Sequence, residues 1–349
     1  MKTVQIEEDG VKLVIPDPKE YALSSKAPVF YNPEMKMNRD ISVLLLQAVG
    51  FKDSVLDMLA ATGARGLRIK KAIPKSNVVL NDKNPNAVEL IKKNAKLNKL
   101  KVEVLEQDAH FKFPMVYHYV DVDPFGTPAP FLDPAIKSLK NGGILAVTAT
   151  DTSALCGTYT KACIRKYGSK PLKNECMKET GLRILIKKVQ EIAAQYEIAL
   201  TPIFSHSTRH YMRVYFKSKS GAKETDKILK HHGFYETAGP LWLGKLWDRA
   251  LLKEMVRLAN KQAVKKELKG KIPTFSLVRD LYFKESLINT VGFYDLHKLC
   301  SKLKLPEIPR YDDIIEKLKK KGYKASRTHF SKTGIKTNAP YKDVVKIIK

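Results

Sequence analysis

Short apolar runs alternate with amphipathic segments over the first 220 residues. Five runs are typical of buried strands: SVLDMLA (54–60), NVVLND (77–82), VEVLEQD (102–108), YHYVDVD (117–123) and GILAVTATD (143–151). Between two of them, NPNAVELIKKNAKLN carries apolar residues at helical spacing, with Asn84 suited to the N-cap and Pro85 to the first turn. Strands that alternate with helices predict an α/β domain with a parallel, doubly wound, Rossmann-like sheet.

Further elements follow from the same periodicities. We predict helices in ISVLLLQAVGF, GARGLRIKKAI and PFLDPAIKSLK, the last ended by the NGG of Asn141, and a long helix near Thr180–Gln195. The runs ALTPIFSHS and HYMRVYFKSKSG predict two adjacent strands that close this domain.

The alternation stops near Gly221, which suggests two domains, residues 1–220 and 221–349. The second is basic and more helical. Near its end, FYDLHKLCSKL and RYDDIIEKLKKKG predict helices, and YKASRTHF and IKTNAP predict strands joined by the turn SKTG. Helix, helix and hairpin make a small α+β, winged-helix-like end. It serves either as a nucleic-acid module or as a domain that braces the first half.

Charge narrows the choice of partner. The chain has 63 Lys and Arg against 36 Asp and Glu, a formal net charge of +27. Such a field attracts a polyanion, and because the acidic residues do not keep pace with the lysines, we favour nucleic acid over a surface adapted to heat. No apolar run approaches the roughly 20 residues of a membrane span, and the N-terminus lacks the apolar h-region of a signal peptide, so we expect a cytoplasmic protein.

Three strand ends carry residues suited to a nucleotide-like ligand. In doubly wound sheets, ligands bind beyond the carboxyl ends of the strands. Gly63 and Gly66 would let the backbone approach a ligand, Asp82 could accept bonds from both ribose hydroxyls, and Asp108 with the Ala109 backbone could bind an adenine amine. Asp82 could instead only cap a helix. Together these residues favour an adenosine-bearing cofactor, and both NAD and S-adenosylmethionine fit them.

The fourth strand end, Asp123-Pro124-Phe125-Gly126, favours methyl transfer to an exocyclic amine. Such an amine is a poor nucleophile and needs acceptors for its N–H groups. The Asp123 carboxylate and the Pro124 carbonyl could supply these acceptors at one tight turn. Phe125 could stack on the nucleobase that carries the amine. Alone, the same four residues could be an Asx-type turn with a buried Phe.

This motif belongs to a wider resemblance. DPFG, with ATGARG, VFYNPEMKMNRD, TATDTSALCG and SRTHFSKTGIKTNAPY, resembles the tRNA guanine-26 N2-dimethyltransferase family over nearly the whole chain. The resemblance implies a class I S-adenosylmethionine-dependent methyltransferase domain with a smaller C-terminal domain. It also implies one or two methyl transfers to the exocyclic N2 amine of guanine-26 in tRNA.

The resemblance also assigns residues. Asp123 matches the catalytic aspartate, and Phe125 and Phe30 match two aromatics that sandwich the target guanine. The implied cofactor contacts are Arg39, Arg65, Asp82, Asp108 and Ala109.

Cysteine and histidine usage bears on metals and nucleophiles. Some relatives carry a four-cysteine zinc site, but this chain has no cysteine in KILKHHGFYETAGPLW, and His231 with His232 cannot hold a structural zinc alone. We therefore predict no metal. Nothing near Cys156 suggests an activated nucleophile.

Two other functions stay open. One is an amino-methyltransferase that acts on ribosomal RNA guanine or DNA adenine, and the other is an RNA-binding protein without activity. We expect a monomer that contacts tRNA phosphates through Arg327, Lys332 and Lys336 in the C-terminal hairpin.

Overall fold

Seven strands form one mainly parallel sheet, as the alternating pattern predicts. The computed structural model describes residues 1–21, 27–265 and 273–349. Its strands are β1 Thr3–Glu8, β2 Val11–Pro16, β3 Ser54–Asp57, β4 Asn77–Asn81, β5 Glu103–Leu105, β6 Tyr117–Val122, β7 Leu139–Ala149, β8 Ile198–Thr208, β9 Tyr211–Ser220, β10 His232–Tyr235, β11 Ala238–Trp242, β12 Tyr294–Asp295, β13 Ala325–Arg327 and β14 Gly334–Thr337. The large sheet has the order β5-β4-β3-β6-β7-β9-β8. Its first five strands in this order, β5, β4, β3, β6 and β7, pair in parallel.

Helices occupy the segments between the strands. They are α1 Lys36–Ala48, α2 Ala64–Ala72, α3 Pro85–Leu97, α4 Leu132–Lys137, α5 Thr152–Leu155, α6 Thr160–Tyr167, α7 Met177–Ala194, α8 Ala222–Leu229, α9 Arg249–Lys265, α10 Pro273–Leu277, α11 Phe283–Glu285, α12 Leu296–Lys302, α13 Tyr311–Lys320 and α14 Tyr341–Ile348. Short 3₁₀ turns cover Pro33–Met35 and Ala129–Phe131, and Val278–Tyr282 is a π-helical turn. Within the described ranges, no helix has the length and apolar character that a membrane crossing requires.

The chain divides into two compact units, each built from three stretches. The first unit comprises Met1–Thr150, Val189–Thr201 and Arg213–Leu229, and the second comprises Asp151–Lys188, Pro202–Met212 and Lys230–Lys349. The division into domains 1–220 and 221–349 stays a prediction.

The start of α3 follows the sequence signals. Asn84 has an extended backbone, and its side chain accepts a hydrogen bond from the Asn86 amide at 3.0 Å. Pro85 occupies the first helical position, where no N–H is needed. Asn84 is therefore the N-cap, as predicted.

The start of β7 differs from the prediction. Asn141-Gly142-Gly143 does not separate a helix from a strand, because α4 already ends at Lys137 and β7 begins at Leu139. The register with β6 shifts across this stretch, where Gly142 has φ +73°. At Gly143, a Cβ would lie 2.8 Å from the Lys140 carbonyl oxygen. The glycines therefore permit an irregular strand rather than end a helix.

Near the end of the second unit, two helices and a strand pair follow in the predicted order, but β12 before α12 and α14 after β14 were not predicted. Helices α12 and α13 precede the β13–β14 pair, and the three-stranded sheet has the order β12-β14-β13. Its buried core is Leu296, Leu299, Cys300, Ile314, Ile315, Leu318, Ala325, Ile335, Ala339, Val344, Ile347 and Ile348.

Lys336 is not a surface residue, so our expectation that it contacts phosphate is wrong. Its side chain is 1% exposed, and Nζ donates to both Glu179 oxygens at 2.8 and 2.7 Å. Arg183 donates to the same carboxylate at 3.0 Å. By contrast, Lys332 is exposed, and the Arg327 guanidinium lies 3.6 Å from the centroid of the Tyr311 ring. Phosphate contacts by these two residues stay predictions.

Because Lys336 is buried and Lys332 is exposed, their substitutions should change the free energy of unfolding by very different amounts. Lys336→Met removes one partner of a buried ion pair and should lower the free energy of unfolding by about 3 kcal/mol. Lys332→Ala should change it by no more than about 0.5 kcal/mol. Denaturant unfolding of both variants measures the difference, and equal effects would contradict the buried pairing.

Candidate active site at the strand ends

The turn between β3 and α2 lies at the carboxyl edge of the sheet, where we predict that a ligand binds. Gly63 has φ +75°, a left-handed conformation that favours glycine, and Ala61 also has a positive φ of 49°. Gly66 has a different role, because a Cβ there would lie 2.0 Å from Leu80 Cδ2. Its missing side chain lets α2 pack closely on β4, so our interpretation of Gly66 as a point of ligand approach gives way to a packing role.

Asp82 follows β4 and is held by two backbone donors. The Ala61 amide donates to Oδ2 at 2.9 Å, and the Asn84 amide donates to Oδ1 at 3.0 Å. The side chain is half-buried. Each oxygen keeps a further lone pair, so the carboxylate is fixed beside the β3–α2 turn and can still accept bonds.

Asp108 and Ala109 lie in the loop that follows the neighbouring strand, β5. The side chain of Asn81 joins the two strand ends by donating to the Gln107 carbonyl at 2.9 Å and accepting from the Gln107 amide at 3.0 Å. Asp108 accepts from the His110 amide and ring, and these bonds hold the pKa of Asp108 below its ordinary range. Ala109 is buried.

The Asp123-Pro124-Phe125-Gly126 turn follows β6 and is fastened to the end of β7. The Gly126 amide donates to Thr150 Oγ1 at 2.7 Å, and the Thr150 amide donates to the Gly126 carbonyl at 2.9 Å. Gly126 has φ +77°. Among the described residues, none donates a hydrogen bond to the Pro124 carbonyl. The turn is therefore fixed while one of its acceptors stays available.

Phe30 and Phe125 lie against each other. Their ring centroids are 4.1 Å apart at an interplanar angle of 64°, and Phe125 is 51% exposed. A base stacked between two rings needs roughly twice the spacing of one stacked pair. The structure thus brings the predicted sandwich residues together, but the rings must separate and turn before a base can lie between them.

The Asp123 carboxylate is ion-paired with Arg65. Its Oδ2 accepts from Arg65 Nη2, and its side chain is 15% exposed. Arg65 Nη1 donates to Asn38 Oδ1 at 2.9 Å and to Ser42 Oγ at 2.7 Å, both on α1. Arg65 is therefore an anchor of the proposed catalytic carboxylate, and a contact with cofactor stays a prediction.

A second arginine and carboxylate lie beneath this pair. Arg213 of β9 donates to Asp121 of β6 at 2.6 and 3.0 Å, and both side chains are 0% exposed. Burial opposes the charged form, but the Arg213 and Arg65 guanidiniums outweigh it and hold the pKa of Asp121 below its ordinary range. On β3, burial and the charge of Asp121 instead raise the pKa of Asp57 to about 7.

Arg39 is bound to the N-terminal hairpin rather than to the strand ends. Its Nε and Nη2 donate to the two oxygens of Glu8 at 2.8 and 2.6 Å, and it also donates to the Asn32 carbonyl. The Tyr31 hydroxyl donates to Glu8 as well, at 2.9 Å. This cluster fixes the loop beside Phe30, and the assignment of Arg39 to cofactor stays a prediction.

Sequence reasoning missed Asp57, Asp121, Arg213 and Glu8. A signal was available, since each is a charged residue within a predicted strand or, for Glu8, in a short strand near the N-terminus. A buried charge needs a partner, so such residues point to ion pairs. The sequence does not say which charges meet, because their partners lie up to 92 positions away.

Cysteine and metal chemistry gain no support from the geometry. Burial raises the pKa of the Cys156 thiol to about 11, which disfavours the nucleophilic thiolate. Within the described ranges, no three side chains of His, Cys, Asp or Glu are grouped to bind a metal ion. The absence of a resident metal remains a prediction.

Known proteins match this chain over most of its length. Residues 5–237 and 231–349 match the TRM family, described as N2,N2-dimethylguanosine tRNA methyltransferase. A Methanosphaera stadtmanae protein named tRNA (guanine(26)-N(2))-dimethyltransferase is 40% identical and aligns with 100% of this chain and 97% of its own. An Aquifex aeolicus tRNA (guanine(26)-N(2)/guanine(27)-N(2))-dimethyltransferase is 37% identical, with 98% and 95% covered.

Among solved structures, Trm1 from Pyrococcus horikoshii in complex with S-adenosyl-L-methionine superposes with a TM-score of 0.87 and 34% identity. The superposition covers 99% of this chain and 100% of that one. Both the sequence match and the fold thus extend over nearly the full length. The chain therefore belongs to the N2,N2-dimethylguanosine tRNA methyltransferase family.

Proposed function

We propose that this protein transfers one or two methyl groups from S-adenosylmethionine to the N2 amine of guanine-26 in tRNA. The observation that carries the proposal is the fixed Asp123-Pro124-Phe125-Gly126 turn, which presents two acceptors and an aromatic ring at the carboxyl edge of the sheet. Membership of the family and the names of its relatives support the same substrate and position. An amino-methyltransferase acting on ribosomal RNA or DNA is the alternative.

The residues at the strand ends suit an adenosine-bearing cofactor. Asp82 is held by the Ala61 and Asn84 amides yet retains lone pairs, as an acceptor of two ribose hydroxyls requires. Asp108 and Ala109 lie in the loop after the adjacent strand, joined to it through Asn81, where an adenine edge could be read. We assign these residues to cofactor, with Arg39 and Arg65 as further candidates. When bound, S-adenosylmethionine would supply an electrophilic methyl group on a sulfonium sulfur, which would keep the electron pair of the broken C–S bond.

Asp123 and Pro124 act on the amine of the target guanine. The lone pair of that nitrogen is delocalised into the ring, so it attacks well only when its N–H groups are bound by acceptors. In the first transfer, the Asp123 carboxylate accepts one N–H and takes its proton as the N–C bond forms, and the Pro124 carbonyl accepts the other. In a second transfer, Asp123 accepts the one N–H that remains and takes its proton. The Arg65 guanidinium keeps the carboxylate in place during this transfer.

Phe30 and Phe125 hold the base, and the basic surface holds the rest of the tRNA. Extrusion of a base costs a few kcal/mol, which stacking between two rings offsets in part. The candidate phosphate contacts in the second unit are exposed lysines. Those of α13 and the following turn are Lys317, Lys319, Lys320 and Lys321, and Lys332 lies in the hairpin. A cytoplasmic location and a monomeric state remain expectations.

The direct test uses purified protein, labelled S-adenosylmethionine and unmodified tRNA transcripts, followed by nucleoside analysis. We expect N2-methylguanosine and N2,N2-dimethylguanosine that disappear when guanine-26 is replaced by adenine. A transcript with adenine at position 27 controls for the dual position named in the Aquifex relative. Methylation of ribosomal RNA or duplex DNA in place of tRNA would support the alternative, and binding without transfer would refute catalysis.

Asp123→Ala separates chemistry from cofactor binding in the same assay. Loss of a positioned proton acceptor should lower kcat by about 10²- to 10⁴-fold, while S-adenosylmethionine affinity stays close to that of the wild type. Asp53→Ala is the matched control, because Asp53 precedes β3 at the opposite edge of the sheet. Undiminished turnover by Asp123→Ala would contradict the mechanism.

Substitutions of Phe125 test the stacking role. Phe125→Ala removes one stacking face and should lower kcat/KM for tRNA by roughly 5- to 150-fold, the equivalent of about 1–3 kcal/mol per base. Phe125→Tyr keeps the ring and should stay near the wild-type value. Steady-state kinetics at saturating cofactor measure both, and equal losses in the two variants would contradict stacking.

The salt dependence of tRNA binding tests the phosphate contacts. Replacement of Lys317, Lys319, Lys320 and Lys332 by alanine should weaken binding and reduce the slope of log K against log salt by about 1 for each phosphate that is no longer neutralised. Lys52→Ala, at the edge of the sheet away from the site, should leave the slope unchanged. An unaltered slope in the fourfold variant would mean that this part of the second unit does not bind the tRNA backbone.

A further inference from the structure

We propose that Arg213 and Asp121 are positioning residues for catalysis, which act on Asp123 through Arg65. The proposal rests on the function proposed above and adds two residues that lie beneath the site surface: both are 0% exposed, whereas Asp123 is 15% exposed. The four side chains form an alternating series of charges from Asp123 through Arg65 and Asp121 to Arg213.

Arg65 has every guanidinium nitrogen engaged. Nη2 donates to Asp123, Nη1 donates to Asn38 and Ser42, and Nε lies 3.4 Å from Asp121 Oδ1. A planar fork bound on three sides cannot rotate without breaking several bonds at once. The direction of its Nη2–H therefore fixes where the Asp123 carboxylate lies.

If Asp121 had no other cationic partner, it would compete with Asp123 for the Arg65 guanidinium. Two guanidiniums share this carboxylate, and Arg213 has the closer contacts, at 2.6 and 3.0 Å. With Arg213 removed, Asp121 would be a buried charge that depends on Arg65 for compensation, and a bidentate pair between the two would be favoured. Arg65 would then turn toward Asp121 and release Asp123.

Arg213 is itself fixed by its surroundings. It donates to Thr148 Oγ1 at 2.8 Å and to the Tyr119 hydroxyl at 3.2 Å, and its guanidinium lies 4.6 Å from the centroid of the Tyr215 ring. The Tyr119 hydroxyl also donates to Asp121 Oδ2 at 2.5 Å. A lysine could keep the charge, but its single nitrogen cannot reproduce this fork.

The test compares Arg213→Lys with the wild type after both have been shown to be folded. We expect kcat to fall by about 10- to 100-fold, the scale of a misplacement of roughly 1 Å. The dissociation constant of S-adenosylmethionine and the KM for tRNA should stay near wild-type values. Tyr119→Phe, which deletes one bond to Asp121 and disturbs packing less, should lower kcat in the same direction.

A buried arginine elsewhere supplies the control. Arg183 is 2% exposed and donates to Glu179 and to the carbonyls of Trp242 and Gly244 within the second unit. Arg183→Lys should destabilise the protein while leaving kcat per folded molecule unchanged. If it lowers kcat as much as Arg213→Lys does, the effect is one of general stability and the proposal is wrong.

A double-mutant cycle tests the route through Asp123. In the Asp123→Ala background, Arg213→Lys should cause no further loss of the single-turnover rate, because its effect acts through the missing carboxylate. An additive loss would overturn the proposal. If the wild type itself makes no N2-methylated guanosine, the proposed function fails. An active wild type with an equally active Arg213→Lys variant refutes only the positioning role.

Discussion

The parallel register of β3 and β6 places two carboxylates side by side in the interior. Asp57 is paired with Asp121 in that register, and neighbouring strands lie about 4.8 Å apart. Two buried negative charges at this spacing are unfavourable unless cations compensate them. Arg65 and Arg213 supply the compensating charges for Asp121. Burial and the neighbouring charge raise the pKa of Asp57 to about 7, which favours its neutral form.

The same constraint explains how Asp123, the carboxylate that we propose to be catalytic, is held in place. Asp123 lies two residues after Asp121, just beyond the end of β6, so an arginine that neutralises Asp121 is also close enough to bind Asp123. Buried ion pairs contribute little net stability compared with well-packed apolar groups. The buried ion pairs are better explained by their effect on geometry. A reacting group keeps its position only when the side chains around it are themselves held in fixed conformations.

Local chemistry made some of the fold predictable. The N-cap at Asn84, the order of strands and helices, and the meeting of Asp82, Asp108 and Asp123 at one edge follow from spacing and from the properties of parallel sheets. The pairing of Arg213 with Asp121 does not, since it joins residues 92 positions apart. Lys336 shows the same limit, because nothing local distinguishes a lysine that binds a buried Glu179 from one that faces water.

Charge acts in two ways at two distances. The net charge of +27 favours the approach of a polyanion over a long distance. The strand ends, by contrast, carry Asp57, Asp82, Asp108, Asp121 and Asp123. Unscreened, this acidic cluster would repel an approaching nucleic acid. Arg65 and Arg213 neutralise its buried part, and what remains available is a set of acceptors suited to N–H and O–H groups and hostile to phosphate. A neutral group that donates hydrogen bonds can therefore approach these residues where an anionic group is disfavoured, which agrees with the guanine amine that we propose as the reacting group.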